Sequence, residues 1–339
     1  MSRSDVVGGI LCAGYGTRLR PLTATVPKPL VPFLNSPLVT YALDHLSSIG
    51  VERVGANLHH LAESIPPVVD RIAGNIGMQT VYAREWDILG TAGGIAGIWR
   101  ALGEPDATLV VFNGDSVMNI DLARHLAEHR EADRPATLVV RPSKQDQPGG
   151  VWLDDDRRLR GIRDYRDPEA GDDLGEFEFA GVHLLEPELL ADIPVEKGDV
   201  IDEVYGPMLE RAEPITASVN EDFWAALDNP ELFFSVTCEL LDHPDRFVQA
   251  PLDPGGREGV YLGPGVDVPE DVEIEPPVFI GPEVEWNGEA SIGPYLVADG
   301  IDVDEEARLR RSVLYGTEPV EDTVDGILAV ADQRIEHGV

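Results

Sequence analysis

The stretch "GYGTRLRPLTATVPKP", residues 14–29, concentrates the groups best suited to holding an anion. It follows the apolar run "VVGGILCA", so its glycines stand where a buried strand would end and a tight turn begin. Such a turn leaves backbone N–H groups pointing outward, and glycine lets an anion come close to them. Gly14 and Gly16 provide the turn with Tyr15 between them, Thr17 adds a hydroxyl, and Arg18 adds a planar cation. Lys28 stands between Pro27 and Pro29, whose rings restrict the backbone and hold the ammonium near one place. A lysine and an arginine converging on a glycine turn suit a polyphosphate on which charge develops. The Walker pattern is absent, since no Gly-Lys-Ser/Thr closes the loop. A glycine turn alone is a weak signal, and Arg18 has a bland alternative as the surface partner of one of 62 acidic residues.

The elements that must carry this stretch alternate between strand and helix up to about residue 240. "SPLVTYALDHLSSIG" has apolar residues at helical spacing, with Ser36 placed to cap it, Pro37 at its first position and Gly50 at its stop. "VERVGANL", "MQTVYARE" and "TLVVFNGDS" are expected strands, and "AESIPPVVDRIA" and "TAGGIAGIWRAL" expected helices. The expected class is α/β, a Rossmann-like mainly parallel sheet with helices on both faces, followed by a small left-handed parallel β-helix. Function in such sheets gathers at the carboxyl ends of strands, where the glycine loop and Asp115 would both lie. Segment 134–220 is less regular and reads as an insertion. His125 and His129 fit one face of an amphipathic helix, and no third ligand makes them a zinc site.

Beyond a Pro- and Gly-rich stretch a period of six appears. Val260, Val266, Val272, Val278, Val284, Ala290 and Leu296 recur without a break, and Ile301, Ala307 and Val313 resume after a one-residue deletion. That period fits neither helix nor ordinary strand, but it fits hexapeptide coils whose small or branched side chains point inward. The expected organisation is a domain over residues 1–241, a linker over 242–257, a β-helix over 258–320 and a tail over 321–339. "GILAVADQRIEHGV", in that tail, is expected to be helical.

Composition narrows the function classes. With 26 basic and 62 acidic residues the formal net charge is −36, which repels nucleic acid and anionic membranes. No run approaches the roughly eighteen apolar residues of a spanning helix, and no signal-peptide pattern opens the chain. Cys12 and Cys238 have no metal-like spacing, so a reducing cytoplasm is the expected location. Lys28, Lys144 and Lys197 are the only lysines. A saline cytoplasm would suit the dispersed acidity, while a G+C-rich genome alone accounts for the scarcity of lysine.

"LCAGYGTRLRPLT" with "VPKPL" resembles the signature of the sugar-1-phosphate nucleotidyltransferases, or nucleoside-diphosphate-sugar pyrophosphorylases. The resemblance continues through "EWDILGTAGGI", "VFNGDS" and "FEFAGVHLLEPELL", covers most of residues 5–235, and extends to the hexapeptide domain common in the family. The Pro-Lys-Pro-Leu form is most similar to the mannose-1-phosphate guanylyltransferase branch and its heptose and muramic-acid relatives. The resemblance implies that a sugar 1-phosphate attacks the α-phosphorus of a nucleoside triphosphate and pyrophosphate leaves, with Mg²⁺ neutralising charge. It implies that Gly14, Tyr15, Gly16 and Thr17 hold the nucleotide, and that Arg18 and Lys28 act on the reacting phosphates. It further implies that Glu85 and Gly90 read the base, that Asp115 binds the metal, and that Asn113, Gly150 and Glu178 line the sugar pocket. Homo-oligomer contacts through the β-helix are also expected.

Two departures stand beside it. The family usually carries a metal-binding aspartate in a late "W-x-D-x-G-T-P" segment, whereas this chain has "WAALDNPE", with Ala226 at that position and Asp228 two residues on. Asp228 is the substitute candidate for the metal. A family lysine near residue 165 is replaced by "RDYRDPE", which offers Arg163 or Arg166. A catalytically weakened nucleotide-sugar-binding regulatory subunit is therefore the alternative to an active enzyme. Acyl transfer by the coils is not expected, because no histidine lies between His243 and His337.

Overall fold

The computed structural model describes residues 5–143, 149–250, 252, 256–316, 319–320 and 323–336. They fall into two compact units. The first takes its described residues from Met1–Gly14, Val39–Ser116 and Ile120–Trp224. Its strands β1 (Val6–Leu11), β2 (Arg53–Leu58), β3 (Gln79–Arg84) and β4 (Thr108–Asn113) lie parallel in the order β4-β1-β2-β3. Helices α1 (Leu38–Ser48), α2 (Ile65–Asn75) and α3 (Gly90–Ala101) lie between them in sequence.

Two adjacent glycines show how this sheet is sandwiched. A Cβ on Gly8 would lie 2.8 Å from Leu46 of α1, and one on Gly9 would lie 3.3 Å from Ile98 of α3. Successive strand residues face opposite sides, so α1 and α3 cover opposite faces, as expected. Beyond β4 the sheet becomes mixed, mostly antiparallel with β9 parallel to β5, within the segment expected to be an insertion. It contains β5 (Ala136–Pro142), β6 (Gly150–Leu153), β7 (Leu159–Ile162), the long β8 (Gly175–Leu185) and β9 (Thr216–Val219). Strand β8 runs against β4, β5 and β6, so it joins this region to the parallel half. Helix α4 (Leu122–Ala132) starts at Asp121, whose side chain accepts from the Arg124 amide at 3.0 Å. Its buried face carries His125 against Ser218, and His129 2.7 Å from Thr137 Oγ1.

The second unit takes Tyr15–Leu38, Val117–Asn119 and the described residues of Ala225–Val339. It holds the helix α5 (Pro230–Asp242) and a stack of parallel coils. Val260 pairs in register with Val278, and Val278 with Leu296, so each coil takes 18 residues (278 − 260), or three hexapeptides. The coils make three sheets. Their interior is filled by Val260, Val272, Val278, Ala290, Leu296, Ile301 and Ala307, with Val266 and Val284 packed against it.

Three expectations need correction. Ser36 does not cap α1: Ser36–Pro37 pairs with Pro32–Phe33 as a short hairpin, and the helix begins at Leu38. Val313 does not point inward, because Leu296 pairs with Ser312 and Val297 with Val313. The coil has shortened to 16 residues (312 − 296) there, and a one-residue slip exchanges the two faces. Finally, the described part of the tail is strand, not helix. Thr323–Asp325 and Ile327–Val330 continue two faces of the stack, and Gln333–Glu336 closes an edge antiparallel. Ile327, Leu328, Ala329 and Val330 are all buried, and so short an apolar run does not by itself separate helix from strand. Residues 321, 322 and 337–339 of the tail, and Lys144, lie outside the described residues.

Candidate nucleotide-binding site

In the first unit the expected residues collect where parallel strands end. Leu11 of β1 and Asn113 of β4 are partners in register, and the Gly114 amide donates to the Leu11 carbonyl at 3.2 Å. The chain therefore leaves β1 towards Gly14, and β4 towards Asp115, at one edge of the sheet. A Cβ on Gly14 would meet nothing within 4 Å, so its backbone is open to a visitor. The Cys12 thiol is fully buried beside it, and its pKa is pushed up to about 12, first by desolvation and then by the charge of Asp115. That thiol stays neutral and is no nucleophile.

Glu85 is buried at the end of β3, and both its oxygens have partners. Asn57 Nδ2 donates to Oε1 at 2.7 Å and the Leu89 amide to Oε2 at 2.8 Å. Next to it Trp86 is 82% exposed, with the Arg84 guanidinium 5.1 Å from its ring centroid. Gly90 opens α3 at φ 70°, and a Cβ there would lie 2.5 Å from the Gly198 carbonyl oxygen. Glycine is thus required by both conformation and space.

The sugar candidates share the centre of the same sheet. Gly150 of β6 pairs in register with Glu178 of β8, and Glu178 is ion-paired to Arg141 of β5. The Arg141 guanidinium lies 4.1 Å from the ring centroid of Trp224, whose Nε1 donates to the Ala180 carbonyl at 2.8 Å. Asn113 packs against Gly181. Arg163 and Arg166, offered for the missing family lysine, are occupied elsewhere. Arg163 pairs with Asp199 at 3.0 Å, and Arg166 stacks 3.6 Å over the ring of Trp152.

In the second unit the glycine stretch folds back on itself. Gly16 adopts φ 59°, and a Cβ there would lie 2.9 Å from Thr23 and 3.1 Å from Lys28, so no other residue fits comfortably. Thr23 Oγ1 donates to the Gly16 carbonyl at 2.7 Å and fixes the turn. Arg18 and Lys28 meet on one carboxylate: Arg18 Nη1 lies 2.9 Å from Asp228 Oδ2, and Lys28 Nζ donates to Oδ1 at 2.8 Å. Arg18 remains 68% exposed, whereas the Lys28 side chain is only 10% exposed. The two cations are therefore neighbours, as expected. The carboxylate proposed to replace the lost metal ligand is their counter-ion, which spacing did not reveal. Asn57 was also missed; its only sequence signal is a polar residue closing an apolar strand.

Comparison with known proteins identifies the family. The chain is 30% identical over 323 residues to the UTP–glucose-1-phosphate uridylyltransferase of Synechocystis sp., covering 90% of this chain and 82% of that protein. It is 29% identical to the mannose-1-phosphate guanylyltransferase catalytic subunit beta of Drosophila pseudoobscura pseudoobscura, covering 80% of this chain and 70% of that one. The crystal structure of HddC from Yersinia pseudotuberculosis complexed with GMP-PN shares the fold, with a TM-score of 0.54 at 21% identity, over 67% of this chain and 96% of that one. The family model described as nucleotidyl transferase matches residues 7–242, which span the sheet, the glycine stretch and Asp228, and the chain belongs to that family.

Proposed function

We propose that the chain joins a nucleoside triphosphate to a sugar 1-phosphate, giving a nucleoside-diphosphate sugar and pyrophosphate, with GTP and mannose 1-phosphate or a related sugar as the substrate pair. The observation that supports this best is the Arg18–Lys28 pair behind a glycine turn, two cations that share the Asp228 carboxylate. A phosphate chain carries the same kind of charge and can take the place of Asp228. In the reaction a sugar-phosphate oxygen forms the new bond to the α-phosphorus, the bond to the β-phosphate bridge breaks, and pyrophosphate departs. Arg18 steadies the departing charge, Lys28 holds the α-phosphate and the incoming sugar phosphate, and Gly14, Gly16 and Thr17 hold the chain. Glu85 and Gly90 flank the segment that reads the base, and Asn113, Gly150 and Glu178 hold the sugar.

Asp115 would hold Mg²⁺. Among the described residues there is no group of three or more His, Cys, Asp or Glu able to hold a metal, and Mg²⁺ fits such a setting, since it is commonly held by one or two carboxylates plus substrate phosphates. When bound it supplies charge neutralisation on the phosphates.

The occupation of both cations by Asp228 favours a second reading, a subunit that binds the nucleotide sugar but turns over poorly. A matrix of nucleoside triphosphates against sugar 1-phosphates with Mg²⁺, read by pyrophosphate release at low and high KCl, separates the two. Turnover with GTP and mannose 1-phosphate exceeding all other pairs supports the first. Retained nucleotide-sugar binding with no turnover in any pair overturns it.

A further inference from the structure

Asn57 is 2% exposed, near the end of β2, and its amide joins two elements. Its Oδ1 accepts from the Cys12 amide at 2.7 Å, at the root of the glycine stretch, and its Nδ2 donates to Glu85 Oε1 at 2.7 Å. Through Glu85 the connection continues to the Leu89 amide at 2.8 Å. The contacts run from the end of β1 to both ends of segment 85–89. Polarity admits one arrangement, with acceptor towards the N–H and donor towards the carboxylate. Helix α3 leaves room for it, since a Cβ on Gly94 would lie 2.5 Å from Asn57 Nδ2. Backbone hydrogen bonds hold the ends of the segment, Glu85 N–H to the Leu58 carbonyl at 2.8 Å and Gly198 N–H to the Leu89 carbonyl at 2.9 Å, while between them Trp86 is 82% exposed.

We propose that Asn57 is a positioning residue for base recognition, holding segment 85–90 in register with the end of β1 through Glu85. The inference rests on the reading above that this segment reads the base. Titratable groups around the pair are His59, whose Nδ1 lies 3.1 Å from the Glu85 carbonyl oxygen, Cys12 and, through Cys12, Asp115 and Tyr82.

The test is calorimetric titration of the full chain with GTP and with UTP at pH 5.5 and 8.5, each variant compared with wild type at the same pH. Asn57→Asp sets two carboxylates at hydrogen-bond distance, and these share a proton at low pH and repel at high pH. The expected GTP Kd is within about threefold of wild type at pH 5.5 and at least about tenfold weaker at pH 8.5. Asn57→Asp/Glu85→Gln exchanges amide and carboxylate, restores the contact, and is expected to return Kd to within about threefold at both pH values. A purely structural role would lower thermal stability without this pH signature or this rescue. Should Asn57→Asp not fold at pH 8.5, Glu85→Gln alone sets a donor against either Asn57 or the Leu89 amide, and a pH-independent loss is expected. Wild-type affinity in a folded Asn57→Asp at pH 8.5 overturns the inference, as does failure of the double variant to improve on the single, or no loss in Glu85→Gln. If wild type binds neither nucleotide, the reading of the segment as base-binding falls first, and the inference with it.

Discussion

One carboxylate is shared by the two cationic phosphate-binding candidates. Asp228 contacts both Arg18 and Lys28, and the nearly buried Lys28 needs a counter-ion more than the exposed Arg18 does. Removing that anion takes a shared counter-charge from both cations at once. Asp228→Asn is therefore expected to tighten binding of metal-free nucleoside triphosphate at least about threefold, as charge-assisted contacts replace an internal pair, while lowering the melting temperature because Lys28 loses a partner. Calorimetric titration in EDTA checks this, and unchanged affinity would mean that the cations do not hold phosphate. Arg18→Ala should reduce kcat/KM by about 10²- to 10³-fold, the usual cost of losing one group aimed at developing charge. Its exposure means the fold should barely notice, and a thermal melt beside the kinetics separates the two effects. Lys28 was legible as special from its prolines and its rarity. Its partner was not, because the two residues are 200 positions apart and only the folded chain brings them together.

At the scale of elements, α4 is fastened by a histidine that responds to pH. His125 is buried against Ser218, and burial, followed by the nearby Arg124 guanidinium, lowers its pKa to about 4. Its folded value thus lies below the unfolded one, so unfolding takes up a proton between roughly pH 6.5 and 4. Stability is full above that window and falls as the pH drops through it, by up to about 3 kcal/mol for this residue. His183, buried against Tyr205, has its pKa lowered to about 3 by burial and adds a loss of the same sign. Urea midpoints between pH 7.5 and 4.5 should shift accordingly, and His125→Gln should flatten the profile. The coils make a different point. Leu296 sits in the middle of the stack with no exposure, and Leu296→Ala should destabilise the protein by about 2–5 kcal/mol in urea unfolding. Its inward position was readable from the period of six, whereas the closing strand Gln333–Glu336 was not. That strand's placement depends on an open edge left by Ile327–Val330, which no local pattern encodes.

For the molecule as a whole, the net charge of −36 dominates. Self-repulsion opposes compaction, and raising KCl from 0.1 to 1 M shortens its range from about 10 Å to about 3 Å. The melting temperature is therefore expected to rise across that range in scanning calorimetry. A flat or falling curve would show that ion pairs such as Arg160 with Asp154 and Asp167 outweigh the repulsion. Salt also screens Arg18 and Lys28, so triphosphate affinity should fall over the same range while stability grows.

Signals that repeat or that act over a few residues were readable before any fold was known. The glycine turn, the proline-held lysine, the alternation of strands and helices, and the coils all belong here, because turn sterics and side-chain periodicity are local. The choice of partners was not readable. Asp228 between two cations, Asn57 between Cys12 and Glu85, and Ser312 in place of Val313 each depend on which distant backbone arrives alongside. That is settled by strand register and close packing, where one residue of slip reverses which side chain faces inward.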